Sequence, residues 1–331
     1  MDFSRLMSLA SGHVEARIVQ TAAELKIFDA LQDGPRNAAA LSQALQLDVQ
    51  ATDLLLNALA ALDLLDKHAD LFSLTDISKQ FLVRRSPRYV GAMIHFEASL
   101  WSCWEQLSEA LRTGRPVRAP DMYQEKAVET ETFIHAMDSL VKARGDHEVL
   151  AGAIDWDSVQ TLLDVGSGPA TYPIALCKKF PRLRATIFDL PATLKITEDY
   201  VARAGMSERI QLVSGDYRSD TIPGHYDIIF LSNIIHGENF TSNQALIGKL
   251  TSNLAAAGRI VIKDHILDAS RTRPCVGAIF SLLMLLTTAG GRCYSFDEVK
   301  TWLQDAGLER IFQIDLPPPL TSSLVIGTRG A

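Results

Sequence analysis

The sequence predicts an α/β protein with a mainly helical N-terminal region and a C-terminal parallel sheet flanked by helices. Two patterns lead to this prediction. Apolar residues recur at helical spacing from Leu6 to about Leu111, whereas short apolar strand segments alternate with helical segments from Thr161 onward. Such alternation is typical of a Rossmann-like sheet with helices on both faces. With 331 residues, 47% of them hydrophobic, the chain can form a core in each part.

The N-terminal region has the element order of a winged helix: three helices and then a short extended pair near Leu71 to Leu74. Nucleic-acid binding is disfavoured, because no lysine or arginine lies between Asn37 and Asp66 and the net charge is −7. We therefore expect residues 1–111 to form a dimerisation or substrate-covering domain. Residues 112–160 are predicted to be a helical connector that contributes to the substrate pocket, and residues 161–331 to be the catalytic domain.

Cysteine spacing and hydropathy predict a cytoplasmic protein. The N-terminus has no apolar run of signal-peptide length, and the apolar segment "AIFSLLMLLTTAG" is shorter than the roughly 20 residues of a membrane helix. We expect that segment to be a buried helix. The cysteines lie far apart without CxxC spacing, which favours reduced thiols over a disulfide framework or a zinc site. They are Cys103, Cys177, Cys275 and Cys293.

The first two predicted strands end in residues suited to a nucleoside. In "DVGSGPA", Gly166 and Gly168 allow a tight turn and a close backbone approach. A dinucleotide fingerprint needs a third glycine where the chain has Thr171, which disfavours a nicotinamide cofactor. Asp189 lies 23 positions after Gly166 (189 − 166 = 23), where a carboxylate reaches ribose hydroxyls. Its alternative role is the N-cap of the helix that begins near Pro191.

The third predicted strand ends in "GDY", where Asp216 can accept a hydrogen bond from an adenine amine and Tyr217 can lie beside the ring. As a lone motif this is an ordinary turn. Three acidic strand ends in one site, Asp164, Asp189 and Asp216, however, suit a ligand that carries a positive charge and no phosphate. S-adenosylmethionine, a sulfonium with an amino-acid tail, fits this description.

The fourth predicted strand leads into "FLSNIIHGEN", which places His236 at its tip. An imidazole titrates near neutral pH and can accept the proton of a hydroxyl that attacks a sulfonium methyl group. Asp264, 28 positions on (264 − 236 = 28), ends the next strand and can orient the imidazole. A hydrogen-bonded structural histidine is the alternative interpretation. His265 could ligate a metal, but no octahedral oxygen cluster is evident, and we predict no metal site.

Taken together, these motifs resemble the small-molecule O-methyltransferases of the caffeate and hydroxyindole type. That family pairs an N-terminal winged-helix dimerisation domain with a class I S-adenosylmethionine-dependent fold built on a seven-stranded sheet. Nearly the whole chain is covered, and the segments occur in the family's order: "GHVEARIVQTAAELKIFDAL", "DVGSGPA", "FDLP", "GDY", "NIIHGEN", "GRIVIKD" and "TTAGGR". The resemblance implies a homodimer that methylates a hydroxyl of a small aromatic or polyketide-like molecule.

The resemblance also implies roles for individual residues. In that family the histidine at the tip of the fourth strand is the general base, and His236 occupies its place. Ser232 stands where many plant members carry a lysine. The positions expected to contact the cofactor are Gly166, Asp189, Leu190, Asp216, Tyr217 and Ser232. The residues expected to line the substrate pocket are Met137, Phe280 and Met284.

Two departures from the family pattern keep alternatives open. Many relatives have His-Asp-Trp where this chain has His236, Gly237 and Glu238, and a second acid is replaced by Cys293 in "GGRCYS". Either change weakens the base or indicates different chemistry. Methylation of carbon or nitrogen on a similar ring therefore remains an alternative, followed by a ligand-sensing winged-helix regulator.

Overall fold

The computed structural model describes residues 1–121 and 123–330. By packing, the chain divides into two units. Met1–Leu100 and His135–Ala143 form the first, and Trp101–Ile134 with the chain from Arg144 onward forms the second. One long helix therefore contributes residues to both units. The domain limits at residues 111 and 160 stay a prediction.

The first unit contains six helices from its N-terminal hundred residues and one β-hairpin. Asn37 and Asp48 cap two of the helices by accepting hydrogen bonds from Ala40 N and Ala51 N, at 2.9 and 2.8 Å. Lys26, with φ +59°, separates the first two helices, so four helices precede the hairpin where three were predicted. The elements are α1 (Phe3–Glu24), α2 (Ile27–Ala30), α3 (Ala38–Leu45), α4 (Val49–Ala61), β1 (Leu65–His68), β2 (Leu71–Leu74), α5 (Asp76–Phe81) and α6 (Gly91–Ser99).

Helix α1 leaves apolar side chains exposed along its N-terminal half. Phe3, Leu6, Leu9 and Val14 are all exposed, whereas Ala22, near the other end, is fully buried. The unit's own core lies elsewhere, around Phe28, Leu41, Leu56, Leu59 and Phe72. Contiguous exposed apolar residues mark an interaction surface rather than a solvated face.

The second unit is built on a seven-stranded sheet in the order β5-β4-β3-β6-β7-β9-β8. The first five strands in this order are parallel, and β9 runs antiparallel to both neighbours. Its strands are β3 (Thr161–Val165), β4 (Arg184–Asp189), β5 (Ile210–Ser214), β6 (Tyr226–Ser232), β7 (Leu254–Asp264), β8 (Leu308–Asp315) and β9 (Ser323–Arg329). The predicted α/β fold class is confirmed.

Helices flank and connect these strands. They are α7 (Trp101–Trp104), α8 (Leu107–Thr113), α9 (Ala127–Arg144), α10 (Asp146–Ala153), α11 (Thr171–Lys179), α12 (Pro191–Arg203), α13 (Phe240–Thr251), α14 (Cys275–Thr287) and α15 (Phe296–Asp305), with a 3₁₀ turn at Ile235–Gly237. The connector predicted as one helical segment is broken at Gly145, which adopts φ +74° between α9 and α10. In the described ranges no helix is long and apolar enough to cross a bilayer.

The segment predicted to be a buried helix is only half buried. It forms α14, whose inner face includes the buried Leu283 and Met284, but Val276, Ile279 and Leu282 on its outer face are exposed. The predicted burial is therefore found on the inner face of the helix alone. Uniform hydrophobicity along a helix does not reveal which side its neighbours cover.

A buried ionic cluster joins α10 to the sheet. Asp146 accepts hydrogen bonds from Arg144 Nε and Nη2, both at 2.9 Å, and from the Tyr172 hydroxyl at 3.2 Å. Lys263 Nζ on β7 lies 3.0 Å from the same carboxylate, an ionic contact without hydrogen-bond geometry. Burial lowers the pKa of Lys263, and the charge of Asp146 opposes that shift. The cluster fixes the start of α10 against the end of β7.

Removal of the central anion should destabilise the fold. We expect Asp146→Ala to lower the free energy of unfolding by about 3–5 kcal/mol, because the buried Lys263 and the half-buried Arg144 would lose their shared counter-charge. Lys263→Met should cost less, since Asp146 keeps its bond to Arg144. Urea denaturation of both variants measures the difference. Equal losses would contradict the central role of Asp146.

Candidate active site

The glycine loop after β3 is tied to the end of β4. Gly166 and Gly168 both adopt positive φ, +65° and +61°, which favours glycine. The Gly168 N–H donates to Asp189 Oδ2 at 2.8 Å, and the Leu190 N–H donates to Asp189 Oδ1 at 2.7 Å. Burial raises the pKa of Asp189 to about 6, and these N–H donors oppose the rise.

Asp189 does not act as the helix cap that its sequence position also allowed. The cap residue of α12 is Leu190, which makes no side-chain capping bond, and the helix begins at Pro191. The carboxylate of Asp189 bonds instead to the loop that follows the neighbouring strand. The alternative interpretation is therefore wrong.

The end of β5 lies close to the same loop. A Cβ atom on Gly166 would come 4.0 Å from Tyr217 Cε1 and 2.4 Å from Ile234 Cδ1. The Asp216 carboxylate accepts a hydrogen bond from Arg218 N at 2.8 Å, which folds this strand end into a tight turn. The structure thus brings together the glycine loop and Tyr217. Ser232, the last residue of β6, hydrogen-bonds to Tyr172.

His236 is held by a buried carboxylate. It lies in the 3₁₀ turn Ile235–Gly237, and its Nδ1 is 2.9 and 3.0 Å from the two oxygens of Asp264. Because a carboxylate accepts hydrogen bonds, we assign the imidazole proton to Nδ1, which leaves a lone pair on Nε2. The sequence-based pairing of these two residues is therefore found in the structure.

Asp264 is kept ionised by its surroundings. Burial alone would raise its pKa, but the neighbouring His236 imidazole and His265 hold the pKa of Asp264 below its ordinary value. The His265 backbone N–H donates to Asp264 Oδ1 at 2.7 Å. The carboxylate, only 1% exposed, is thus a rigid acceptor beside the imidazole.

The paired glycines after α14 allow a close approach to the His236 turn. A Cβ atom on Gly291 would lie 2.3 Å from the backbone oxygen of His236, so any larger residue would displace the turn. The sequence-based assignment included the segment "TTAGGR" but gave Gly291 no role. Adjacent glycines beyond a long apolar helix were the available signal.

Comparison with known families finds two matches along the chain. The O-methyltransferase domain family matches residues 104–309, and the O-methyltransferase dimerisation domain matches residues 7–84. The chain belongs to the O-methyltransferase family. It is an S-adenosylmethionine-dependent methyltransferase, as predicted from its strand ends.

Individual relatives agree with this assignment over nearly their full length. The 3-hydroxy-5-methyl-1-naphthoate 3-O-methyltransferase of Streptomyces sahachiroi is 29% identical over 98% of this chain and 94% of the relative. The tetracenomycin polyketide synthesis 8-O-methyl transferase TcmO of Streptomyces glaucescens is 28% identical over 98% of this chain and 96% of the relative. The structure of human N-acetylserotonin methyltransferase in complex with SAM shows the same fold, with a TM-score of 0.91. Its sequence is 22% identical, and the match covers 100% of this chain and 99% of the human chain.

An orphaned buried oxygen in the methyltransferase's site fits the cofactor. Asp164 is the penultimate residue of β3, two positions before Gly166, and its Oδ2 accepts a hydrogen bond from Ser167 at 2.6 Å. Its Oδ1 is buried and has no hydrogen-bond partner among residues 1–121 and 123–330. Burial raises the pKa of Asp164 to about 8. A cationic donor group would satisfy this oxygen, and the amino-acid tail of the cofactor carries one. Sequence analysis counted Asp164 among the three acidic strand ends but did not include it in the list of cofactor contacts.

Sequence analysis expected a second acid where the chain has Cys293, and the thiol of that residue is neutral. Cys293 is buried, and burial followed by the charge of Asp264 raises its pKa to about 12. Its backbone N–H donates to Ser281 Oγ at 3.1 Å. At physiological pH this methyltransferase therefore has a thiol, without charge, at this position.

The predicted substrate residues lie in different units. Phe280 packs against His236, with ring centroids 4.8 Å apart and planes at 87°, and against His265 at 5.5 Å. Met284 is buried on the same helix. Met137 belongs to the part of α9 that packs with the first unit. The structure thus brings Phe280 to His236, whereas contact of all three with substrate stays a prediction.

The hydrogen bonds of Asp189 predict a sensitive cofactor site. Asp189→Asn should weaken binding of S-adenosylhomocysteine about 10- to 100-fold, because one oxygen becomes an NH₂ group facing a backbone N–H donor. Isothermal titration calorimetry measures the affinity. Asp199→Asn, at an exposed position on helix α12, which follows Asp189 in the chain, is the matched control and should change affinity by less than about twofold. Similar affinities in both variants would contradict the assignment of Asp189 to the cofactor site.

Proposed function

We propose that the chain transfers a methyl group to a hydroxyl of a small aromatic or polyketide-like molecule, with His236 as general base and Asp264 as its orienting partner. The observation that carries this proposal is the pair of contacts from His236 Nδ1 to both Asp264 oxygens, 2.9 and 3.0 Å. Two relatives support the substrate class, since their names specify a hydroxynaphthoate and a polyketide.

The strand ends would hold the cofactor. Asp189 and Asp216 would accept hydrogen bonds from its nucleoside beside Tyr217, while the orphaned oxygen of Asp164 would face its charged tail. When bound, S-adenosylmethionine supplies a methyl group made electrophilic by the sulfonium. Ser232 would be a further contact near the end of β6. None of these acids would repel the ligand, because it carries no phosphate.

The proton moves from the substrate hydroxyl to His236 Nε2. The imidazole then carries a positive charge, which the ionised Asp264 stabilises at its other nitrogen. Because the Asp264 carboxylate is buried and already hydrogen-bonded, it needs little rearrangement when that charge develops. Phe280 packs edge to face with the imidazole and restricts its rotation.

Loss of the base should abolish turnover but not cofactor binding. We expect His236→Ala to lower kcat about 10²- to 10⁴-fold with a hydroxylated aromatic acceptor. Calorimetry with S-adenosylhomocysteine should give an affinity within about threefold of wild type, because the imidazole does not hold the cofactor. Unchanged turnover would refute the assignment of the base.

The carboxylate of Asp264 should determine the pH dependence of the reaction. In Asp264→Asn the imidazolium loses its counter-charge, so the acidic limb of the kcat/KM profile should move to lower pH while the maximal rate falls. A pH series with the same acceptor measures both effects. A profile identical to that of wild type would show that Asp264 does not act on His236.

A second candidate is transfer to carbon or nitrogen of a similar ring. The neutral Cys293 favours it, because hydroxyl deprotonation has less carboxylate support than in relatives with a second acid. Product analysis by NMR with a ¹³C-labelled methyl donor separates the two. A methyl signal on oxygen would support the leading proposal, and one on carbon or nitrogen would replace it.

We also propose that the chain forms a homodimer through its N-terminal unit. The dimerisation domain match covers residues 7–84, and the exposed apolar residues of α1 provide a surface to bury. Light scattering should give twice the mass of a single chain. The double variant Leu6→Asp with Leu9→Asp should lower the measured mass toward that of a single chain. Leu111→Asp, at another exposed position, should leave the mass unchanged. A wild-type monomer would refute the proposal.

A further inference from the structure

We propose that Glu238 is a positioning residue that links the cofactor-binding side of the site to the turn carrying His236. The inference rests on the proposed function. Glu238 is 8% exposed, and its Oε1 accepts hydrogen bonds from the Tyr217 hydroxyl and from Arg218 Nε, both at 2.8 Å. One carboxylate oxygen therefore joins the turn after β6 to the turn after β5.

The backbone of Glu238 is fixed to the His236 turn. Glu238 directly follows the turn Ile235–Gly237, and its backbone oxygen accepts a hydrogen bond from the Tyr294 hydroxyl at 2.6 Å. The buried Asn243 amide donates to that oxygen at 3.3 Å and to Ile235 O at 2.8 Å. The glutamate cannot change position without displacing the turn that presents His236.

At the other end, Glu238 fixes the orientation of the Tyr217 ring. Burial, followed by the charge of Glu238, raises the pKa of Tyr217, so the phenol remains a donor. The backbone oxygen of Tyr217 is held separately by Lys249, which also bonds to Asp220 O. Because the backbone and the hydroxyl are both fixed, the ring has one orientation beside Gly166.

The contact between Arg218 and Glu238 contributes less to this positioning than the bond between Tyr217 and Glu238. The Arg218 side chain is 41% exposed, and an ion pair open to solvent contributes little. The bond between Tyr217 and Glu238 is buried and involves an ionised acceptor, which makes it the stronger of the two. We therefore assign the positioning effect to the tyrosine and the glutamate.

The test compares single and double variants by calorimetry with S-adenosylhomocysteine. Glu238→Ala and Tyr217→Phe should each weaken binding about tenfold, and the double variant should bind no more than about twofold more weakly than Glu238→Ala. Glu238→Gln keeps an acceptor oxygen for the phenol and should restore most of the affinity. With a hydroxylated aromatic acceptor, Glu238→Ala should also lower kcat, whereas Tyr217→Phe should act mainly on KM for the methyl donor.

A structural glutamate serves as the control. Glu298 also pairs with an arginine, Arg292, at 2.7 Å, but its carboxylate completes the capping box of α15 by accepting a hydrogen bond from the backbone N–H of the cap residue Ser295. Glu298→Gln should lower the melting temperature without weakening binding of S-adenosylhomocysteine. The proposal is overturned if Glu238→Ala binds as tightly as wild type, or if the effects of the two single variants multiply. A wild-type chain that fails to bind would instead overturn the proposed function.

Discussion

In the proposed mechanism, the chemistry of this methyltransferase depends on the parallel register of β6 against β7. Ser232 pairs with Lys263, so the next residue of β7, Asp264, lies at the edge where the chain after β6 turns back and presents His236. A slip of one residue would move Asp264 to the opposite face of the sheet. The apolar segments of both strands are almost completely buried, so a slip would have to repack the core on both faces of the sheet. The packing of the core thus determines the distance between His236 and Asp264.

Three buried aspartates at the strand ends differ in ionisation because their hydrogen-bond partners differ. Asp164 has a single hydroxyl donor, and burial raises its pKa to about 8. Asp189 has two backbone N–H donors, and its pKa rises only to about 6. The imidazoles of His236 and His265 reverse the effect of burial on the pKa of Asp264. Two of these acids would therefore gain from a cationic ligand, whereas the third is already ionised beside the base.

The elements and strand ends could be predicted from sequence because they depend on local periodicity and on the topology of parallel sheets. The five residues of β3 were predicted correctly, and the pairing of His236 with Asp264 followed from the adjacency of strand ends. Other features depend on contacts between distant segments. Sequence periodicity does not reveal the exposed side of α14, the close approach of Gly291 or the bond between Tyr217 and Glu238. Each of these depends on a segment distant in the chain that packs against the residue.

In the proposed mechanism, Cys293 stands where sequence analysis expected a second acid, and this changes the electrostatics around His236 without disabling it. A second buried carboxylate at this position would repel Asp264 and raise its pKa, so that part of the negative charge would be lost to protonation. The thiol, whose pKa is raised to about 12 by burial, adds no charge. Asp264 therefore remains the ionised partner of His236. In the proposed mechanism it would carry the whole counter-charge of the imidazolium, so the driving force for proton transfer to His236 would depend on this one carboxylate.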